Sequence, residues 1–207
     1  MVKVKICGIT QFGDAQLAVS LGAWAVGFIF YKKSPRYILP SRAREIIKSL
    51  PKKVIPVGVF VNAQESDIKR IAVYCGLKAI QFHGNEAPEF CAKFQGFNTI
   101  KAFRVGKDFD FSRVCEYPTS LYLFDTHQKG MYGGSGKTFD WNVLKEKKKI
   151  NKPLILSGGL NARNIVAAVK RVKPFAVDVS SGVESSYGKK SEKLLQSFFN
   201  KIEQCKE

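Results

Sequence analysis

Two residues close apolar runs where packing alone is a thin explanation. Cys7 ends the run Val2–Cys7 directly before Gly8, and Asp125 ends the run Leu121–Asp125. A strand cysteine can serve as a small buried hydrophobe, but its place at a strand end beside a glycine also suits a reactive thiol. A carboxylate closing an apolar strand is costly to bury without a partner or a task. A base and an acid facing one another describe proton-transfer chemistry. Two clusters of small residues, Ser157-Gly158-Gly159 and Ser180-Ser181-Gly182, leave backbone N–H groups able to converge on an anion, although glycine also serves tight turns with positive φ.

Other patterns carry less chemistry. Tyr132 to Thr138 reads YGGSGKT, but a Walker A loop needs glycine where Met131 stands, with Gly130 one position early. The preceding strand also ends too far back, at Asp125, so a nucleotide cradle is not expected. A mobile Gly-rich loop over the site, from His127 to Lys137, fits better. Five widely spaced cysteines without a C-x-x-C pair fit reduced thiols, and two histidines are too few for a Cys/His zinc site.

The elements that must position these groups form a regular series. Short apolar, β-branched runs occur at Val2–Cys7, Trp24–Phe30, Val54–Val61, Ala79–His83, Thr99–Val105, Leu121–Asp125, Pro153–Ser157 and Ala176–Ser180. Helical spacing appears between most of them, at Asp14–Leu21, Ser41–Leu50, Ser66–Cys75 and Asn161–Val172, and again at Ser191–Ile202. Ser41, Ser66 and Asn161 read as N-caps and Gly76 as a C-cap, while Gly106–Thr119 is less periodic. Runs such as VIPVGVF do not alternate, so both strand faces should be buried. Eight strands alternating with helices predict an α/β chain, a single (β/α)8 TIM barrel of near-minimal length spanning residues 1–207 as one catalytic domain. An open doubly wound sheet is the competing arrangement.

In such a barrel the active site lies at the C-terminal strand ends. Those ends hold Cys7-Gly8, then Lys32 to Arg36, Asn62, the group Gln81, His83 and Gly84, then Arg104, Asp125-Thr126-His127, Ser157-Gly158-Gly159, and finally Asp178, Ser180, Ser181 and Gly182. The small clusters fall after strands 7 and 8, where such barrels hold phosphate. Thiol, carboxyl and phosphate site together suit a phosphorylated sugar.

The formal net charge is +17. A basic surface, as in the lysines at 145 and 147–149, keeps a chain soluble, and it can also steer an anionic substrate. No zinc finger, aromatic-plus-basic motif or Gly-Arg tail points to nucleic acid. No apolar run is long enough to span a membrane, and the start MVKVKICGIT has no signal-peptide core, so a cytoplasmic protein is expected. Phe198 and Phe199 could pack internally or against a second copy, which leaves a homodimer open.

KICGIT at 5–10, GFIFYKKSPRYI at 27–38, VGVFVN at 57–62, QFHG at 81–84, LFDT at 123–126, GGSGKTFDW at 133–141, LSGGLN at 156–161 and VDVSSGVE at 177–184 together resemble phosphoribosylanthranilate isomerase, a family of tryptophan biosynthesis. The matches run in order along nearly the whole chain. The resemblance implies a cofactor- and metal-free Amadori rearrangement of N-(5-phosphoribosyl)anthranilate to 1-(2-carboxyphenylamino)-1-deoxyribulose 5-phosphate. It implies Asp125 as the general acid that opens the furanose ring and Cys7 as the general base at C2′. Arg36 would hold the anthranilate carboxylate, His83 and Asp178 would contact the substrate, and the amides around Gly158, Gly159, Ser180 and Ser181 would hold its phosphate. Phe82 stands where the family pattern suggests Leu. The related isomerase of histidine biosynthesis resembles a barrel with a carboxylate base on strand 1, where this chain has Cys7. An enzyme serving both pathways, and a non-enzymatic basic barrel binding nucleic acid, are the more distant alternatives.

Overall fold

The computed structural model describes residues 2–106, 109–126, 138, 140–144 and 150–205. Eight parallel strands close on themselves: β1 (Lys3–Cys7), β2 (Ala25–Ile29), β3 (Ile55–Phe60), β4 (Ala79–Phe82), β5 (Asn98–Val105), β6 (Leu121–Thr126), β7 (Leu154–Leu156) and β8 (Ala176–Val179). Closure comes from β1 pairing with both β2 and β8. The chain is a (β/α)8 barrel, not an open sheet. The helices are α1 (Phe12–Ser20), α2 (Pro40–Lys48), α3 (Glu65–Cys75), α4 (Pro88–Ala92), α5 (Ile165–Val172) and α6 (Glu192–Glu203).

Period-two alternation sorts every strand into an inner and an outer face. Ala25, Val57, Ala79, Ile100, Ala102, Leu123, Ile155 and Ala176 fill the lower barrel interior. Val4, Ile6, Phe28, Phe60, Ile80, Phe82, Tyr122, Phe124 and Val177 face the helices in the larger core. Each fully buried aromatic or aliphatic side chain there is worth roughly 1.5–3 kcal/mol. Phe82 belongs to this outer layer, edge-on to Phe94 at 5.1 Å, so the unusual residue lies behind the sheet, away from the mouth. Phe198 and Phe199 are also buried in the outer core, which settles their packing as internal.

Several sequence expectations need correction. Ser41 and Ser66 lie inside their helices, whose N-caps are Leu39 and Gln64. Pro40, which has no N–H to satisfy, starts α2 one residue early, and Glu65 and Asp67 supply the acidic first turn of α3. Asn161 caps a turn ahead of α5 instead of the helix, accepting from the Arg163 amide at 2.9 Å. The side-chain cap hydrogen bond seen in α6 is from Ser191, accepting from Leu194. Gly76 does end α3, with φ 71°. Between Gly106 and Thr119 the described residues hold a single 3-10 turn, Val114–Glu116. Helix α4 and a hairpin of β9 (Glu184–Ser186) with β10 (Lys189–Lys190) had no signal in the periodicity. The expected loop from His127 to Lys137 and the lysines at 145 and 147–149 lie outside the described residues.

Candidate active site at the barrel mouth

Above the apolar layer the inner face turns polar. Lys5, Cys7, Gln81, His83, Asp125, Ser157 and Asp178 are all buried at the C-terminal half of the strands. The register explains the grouping. Lys5 pairs with Asp178 on the neighbouring strand, Cys7 with Gly27, and Lys5 and Cys7 share one face two residues apart.

On the β1–β8 side the Lys5 ammonium donates to Asp178 Oδ1 at 2.8 Å, and the Cys7 sulfur borders the same space beside Gly27. Gly27 makes room for this: a Cβ there would stand 2.8 Å from Cys7 Sγ and 3.1 Å from Lys5 Nζ. Burial pushes the Cys7 thiol up, with Asp178 adding to that and Lys5 and Lys190 opposing it. Burial alone would lower the Lys5 ammonium, but Asp178 and Cys7 together outweigh it and raise it. Lys190, arriving from the hairpin, donates to the Cys7 carbonyl at 2.6 Å, to Glu184 at 2.8 Å and to the Ser180 carbonyl at 3.3 Å. Its burial lowers the ammonium despite Glu184.

Arg36 crosses above Gly8 and forks onto Glu184, with Nε at 2.9 Å and Nη2 at 2.7 Å, and lies over the Tyr187 ring. Burial would raise the Glu184 carboxyl, but Arg36 and Lys190 hold it below its ordinary value. Two of the three guanidinium nitrogens are thus engaged, and the fork is fixed in one plane.

Across the mouth, Asp125 Oδ1 accepts from the Thr126 amide at 2.8 Å, while Oδ2 lies 3.3 Å from His83 Nε2. His83 Nδ1 in turn sits 2.8 Å from the Gln81 amide nitrogen. Gly158, with φ +92°, presses against this strand end: a Cβ there would collide with Thr126 and come within 3.0 Å of Asp125 Oδ1. Behind His83, Glu86 accepts from the amides of Asn62 and Gly84 and from Lys101, which also donates to the Gly84 carbonyl. Asn62 therefore holds a loop, as does its side chain through the Asn85 amide at 2.7 Å. Arg104 likewise bonds Asn85.

The loops after β7 and β8 meet: a Cβ on Gly182 would collide with the Leu160 carbonyl. The Gly159 carbonyl accepts from Asn164 at 2.9 Å and Asn161 at 3.2 Å, which fixes the peptide plane beside it. Ser181 begins a 3-10 turn, Ser181–Val183. Gly158, Gly159, Ser180 and Ser181 are thus gathered in one rim sector. Three buried polar atoms around the mouth, Gln81 Oε1, His83 Nε2 and Ser180 Oγ, have no hydrogen-bond partner among the described residues. Such atoms are rare in native proteins and call for an explanation.

A cavity of about 610 Å³ beside α5, lined by Asp140, Trp141, Lys170 and Arg171 among others, is remote from this cluster. It joins no thiol to a carboxyl, so chemistry places the site at the mouth.

A family profile described as "N-(5'phosphoribosyl)anthranilate (PRA) isomerase" matches residues 4–201. The chain belongs to this isomerase family. It is 50% identical to the N-(5'-phosphoribosyl)anthranilate isomerase of Thermotoga neapolitana, over 97% of this chain and 98% of the relative. Among solved structures it is similar to phosphoribosyl anthranilate isomerase from Thermotoga maritima, with a TM-score of 0.91, 44% identity, and 99% and 100% of the two chains covered. It is similar, too, to a phosphoribosyl anthranilate isomerase solved in complex with reduced 1-(o-carboxyphenylamino)-1-deoxyribulose 5-phosphate, with a TM-score of 0.88, 42% identity, and 99% and 100% covered.

In this isomerase every residue expected at the site, Cys7, Arg36, His83, Asp125, Gly158, Gly159, Asp178, Ser180 and Ser181, lies at the C-terminal rim. Sequence reasoning gave no role to Lys5, Gln81, Glu184 or Lys190. A lysine two positions before Cys7 in a buried strand was a usable signal for Lys5. Lys190 had none, because it reaches the site from a hairpin outside the strand–helix rhythm.

Proposed function

We propose that the chain catalyses the Amadori rearrangement of N-(5-phosphoribosyl)anthranilate to 1-(2-carboxyphenylamino)-1-deoxyribulose 5-phosphate in tryptophan biosynthesis. The supporting observation is one rim that faces a thiol with a carboxyl and holds three buried polar atoms without a hydrogen bond among the described residues. Asp125 delivers a proton to the furanose ring oxygen, the C–O bond breaks, and the anilino nitrogen forms the cationic Schiff base. The Thr126 amide occupies Oδ1, so the proton is delivered from Oδ2, the oxygen beside His83. Cys7, as thiolate, removes the C2′ proton; the electrons move toward nitrogen to give the enolamine, which tautomerises to the ketone. The cationic intermediate itself favours the thiolate.

Arg36 holds the anthranilate carboxylate with the edge that Glu184 leaves unused, the geometry for which a planar fork is suited. His83 Nε2 and Asp178 contact the sugar, and the amides near Gly158, Gly159, Ser180 and Ser181 hold the phosphate. The span 1–207 is one catalytic domain working in the cytoplasm on a phosphorylated small molecule, without metal, cofactor, nucleic acid or membrane. Among the described residues no helix is long and apolar enough to cross a membrane.

The test is a coupled assay on freshly generated phosphoribosylanthranilate, followed by its fluorescence. Wild type should consume the substrate, and Cys7→Ser and Asp125→Asn should each lose several orders of magnitude. Full activity in Cys7→Ala would remove Cys7 as the base. A folded but inactive wild type would overturn the assignment.

A further inference from the structure

Cys7 has two buried ammonium groups near it, and they are committed differently. Lys190 is spent on three oxygens, the carbonyls of Cys7 and Ser180 and the Glu184 carboxylate. Among the described residues Lys5 has one hydrogen-bond acceptor, Asp178 Oδ1 at 2.8 Å, and its ammonium and the Cys7 sulfur border the same space over Gly27, leaving donor capacity on the sulfur's side. It is wholly inaccessible to solvent, in the barrel interior where no water competes for the charge. The register leaves it little alternative. Period two puts its side chain on the face of Cys7, the bare Cα of Gly27 opens the space in which ammonium and thiol meet, and Asp178 is its direct partner across the β1–β8 seam.

We propose that Lys5 is the counter-ion against which Cys7 ionises, a positioning residue whose reach is set by Asp178. The inference rests on the reading of Cys7 as the base. In the catalytic step the C2′–H bond breaks and the proton goes to sulfur; Lys5 keeps its own proton throughout, and its charge passes from a shared hold on thiolate and carboxylate to the Asp178 pair alone. Asp178 works in the opposite sense to Lys5, both by its own negative charge and by drawing the ammonium away. The ionisable groups facing Cys7 are Lys5 from its own strand, Asp178 from β8 and Lys190 from β10; its β2 neighbour is Gly27.

Two substitutions should therefore move the thiol in opposite directions. The measurement is the pH titration of thiolate ultraviolet absorbance, each variant read against the same variant carrying Cys7→Ser so that the other four cysteines cancel. Lys5→Met should shift the titration upward enough to cut the thiolate fraction at neutral pH at least tenfold, which is one pH unit. Asp178→Asn should shift it downward. The acid limb of kcat should follow Lys5→Met upward, with activity recovering as pH rises, and Lys5→Arg should restore part of the loss. An unchanged titration in Lys5→Met, or shifts of the same sign in both variants, would overturn the proposal.

If Lys5→Met fails to fold because Asp178 is stranded, the double variant Lys5→Met/Asp178→Asn removes the pair together. It should titrate above Asp178→Asn alone, and equal values would sink the idea. Failure of the underlying reading looks different: Cys7→Ser would then stay active whatever the titrations show.

Discussion

Two trios of lysine, carboxylate and cysteine are buried on opposite faces of the same sheet. Inside the barrel stand Lys5, Asp178 and Cys7; outside it, behind β4 and β5, stand Lys101, Glu86 and Cys91. In the outer trio the lysine and the carboxylate are saturated. Glu86 accepts from two loop amides and from Lys101, and Lys101 also bonds the Gly84 carbonyl and lies over the Tyr117 ring. In the inner trio, among the described residues, Asp178 Oδ2 has only Ser157 Oγ, at a long 3.5 Å, and the lysine stands beside a thiol across the space over Gly27. The same ingredients therefore serve two ends. Where every donor and acceptor is matched, the pair fixes a loop; where capacity is left over and faces the mouth, it is available for chemistry.

Removing the lysines tests this division most severely. Lys101→Met strands Glu86 and should cost about 3–5 kcal/mol, read as a large drop in denaturant midpoint, with kcat per folded molecule changed only a few-fold. Lys5→Met strands Asp178 and should cost stability of the same order, but with a far larger loss of turnover per folded molecule; a kcat loss no greater than that of Lys101→Met would erase the distinction. Gly158→Ala tests how the acid side is held. Its φ of +92° and the collision with Thr126 should cost roughly 1–3 kcal/mol and displace Asp125, lowering kcat more than tenfold.

The thiols sharpen the comparison further. Burial raises Cys91 to about 11, with Lys101 opposing and Glu86 adding, and raises Cys75 to about 11 as well. The folded value lies above the unfolded 9.0. The stability these thiols lend is therefore fully present below about 9 and lost as pH rises toward 11. The loss should be on the order of 2 kcal/mol per thiol, visible as a falling midpoint over that window and largely absent in Cys75→Ala/Cys91→Ala relative to its own neutral value. The smallest effect expected is from Arg36→Lys. A point charge replaces a fork already half used by Glu184, and KM should rise about tenfold, roughly 1.4 kcal/mol, with little change in kcat.

The barrel was legible because each strand announces itself as a short, doubly buried apolar run, and all eight observed strands fall within a residue or two of those runs. The proposed site residues could be picked out where they stand at a strand's C-terminal end, as Cys7, His83 and Asp125 do, since strand ends in a closed barrel share one rim. Helix starts were less so. Ser41 and Ser66 have the chemistry of caps, but Pro40 and the acidic turn at Glu65 start the helices earlier. What stayed hidden depends on tertiary placement. Glu184 and Lys190 come from a hairpin that breaks the alternation, and whether a buried lysine is saturated, like Lys101, or keeps donor capacity, like Lys5, is written in neighbours far along the chain.

The β1–β8 seam has a consequence for how the molecule is made. Lys5 and Asp178 lie 173 positions apart, and Lys190 reaches Cys7 from 183 positions away. Synthesis therefore delivers Cys7 more than 170 residues before Asp178 and Lys190, two of the charged groups that surround it. Until β8 docks, Cys7 is an ordinary thiol on an unfinished strand, open to oxidants and alkylating agents. Closure of the β1–β8 seam, with the hairpin that follows it, is what surrounds this thiol with charge.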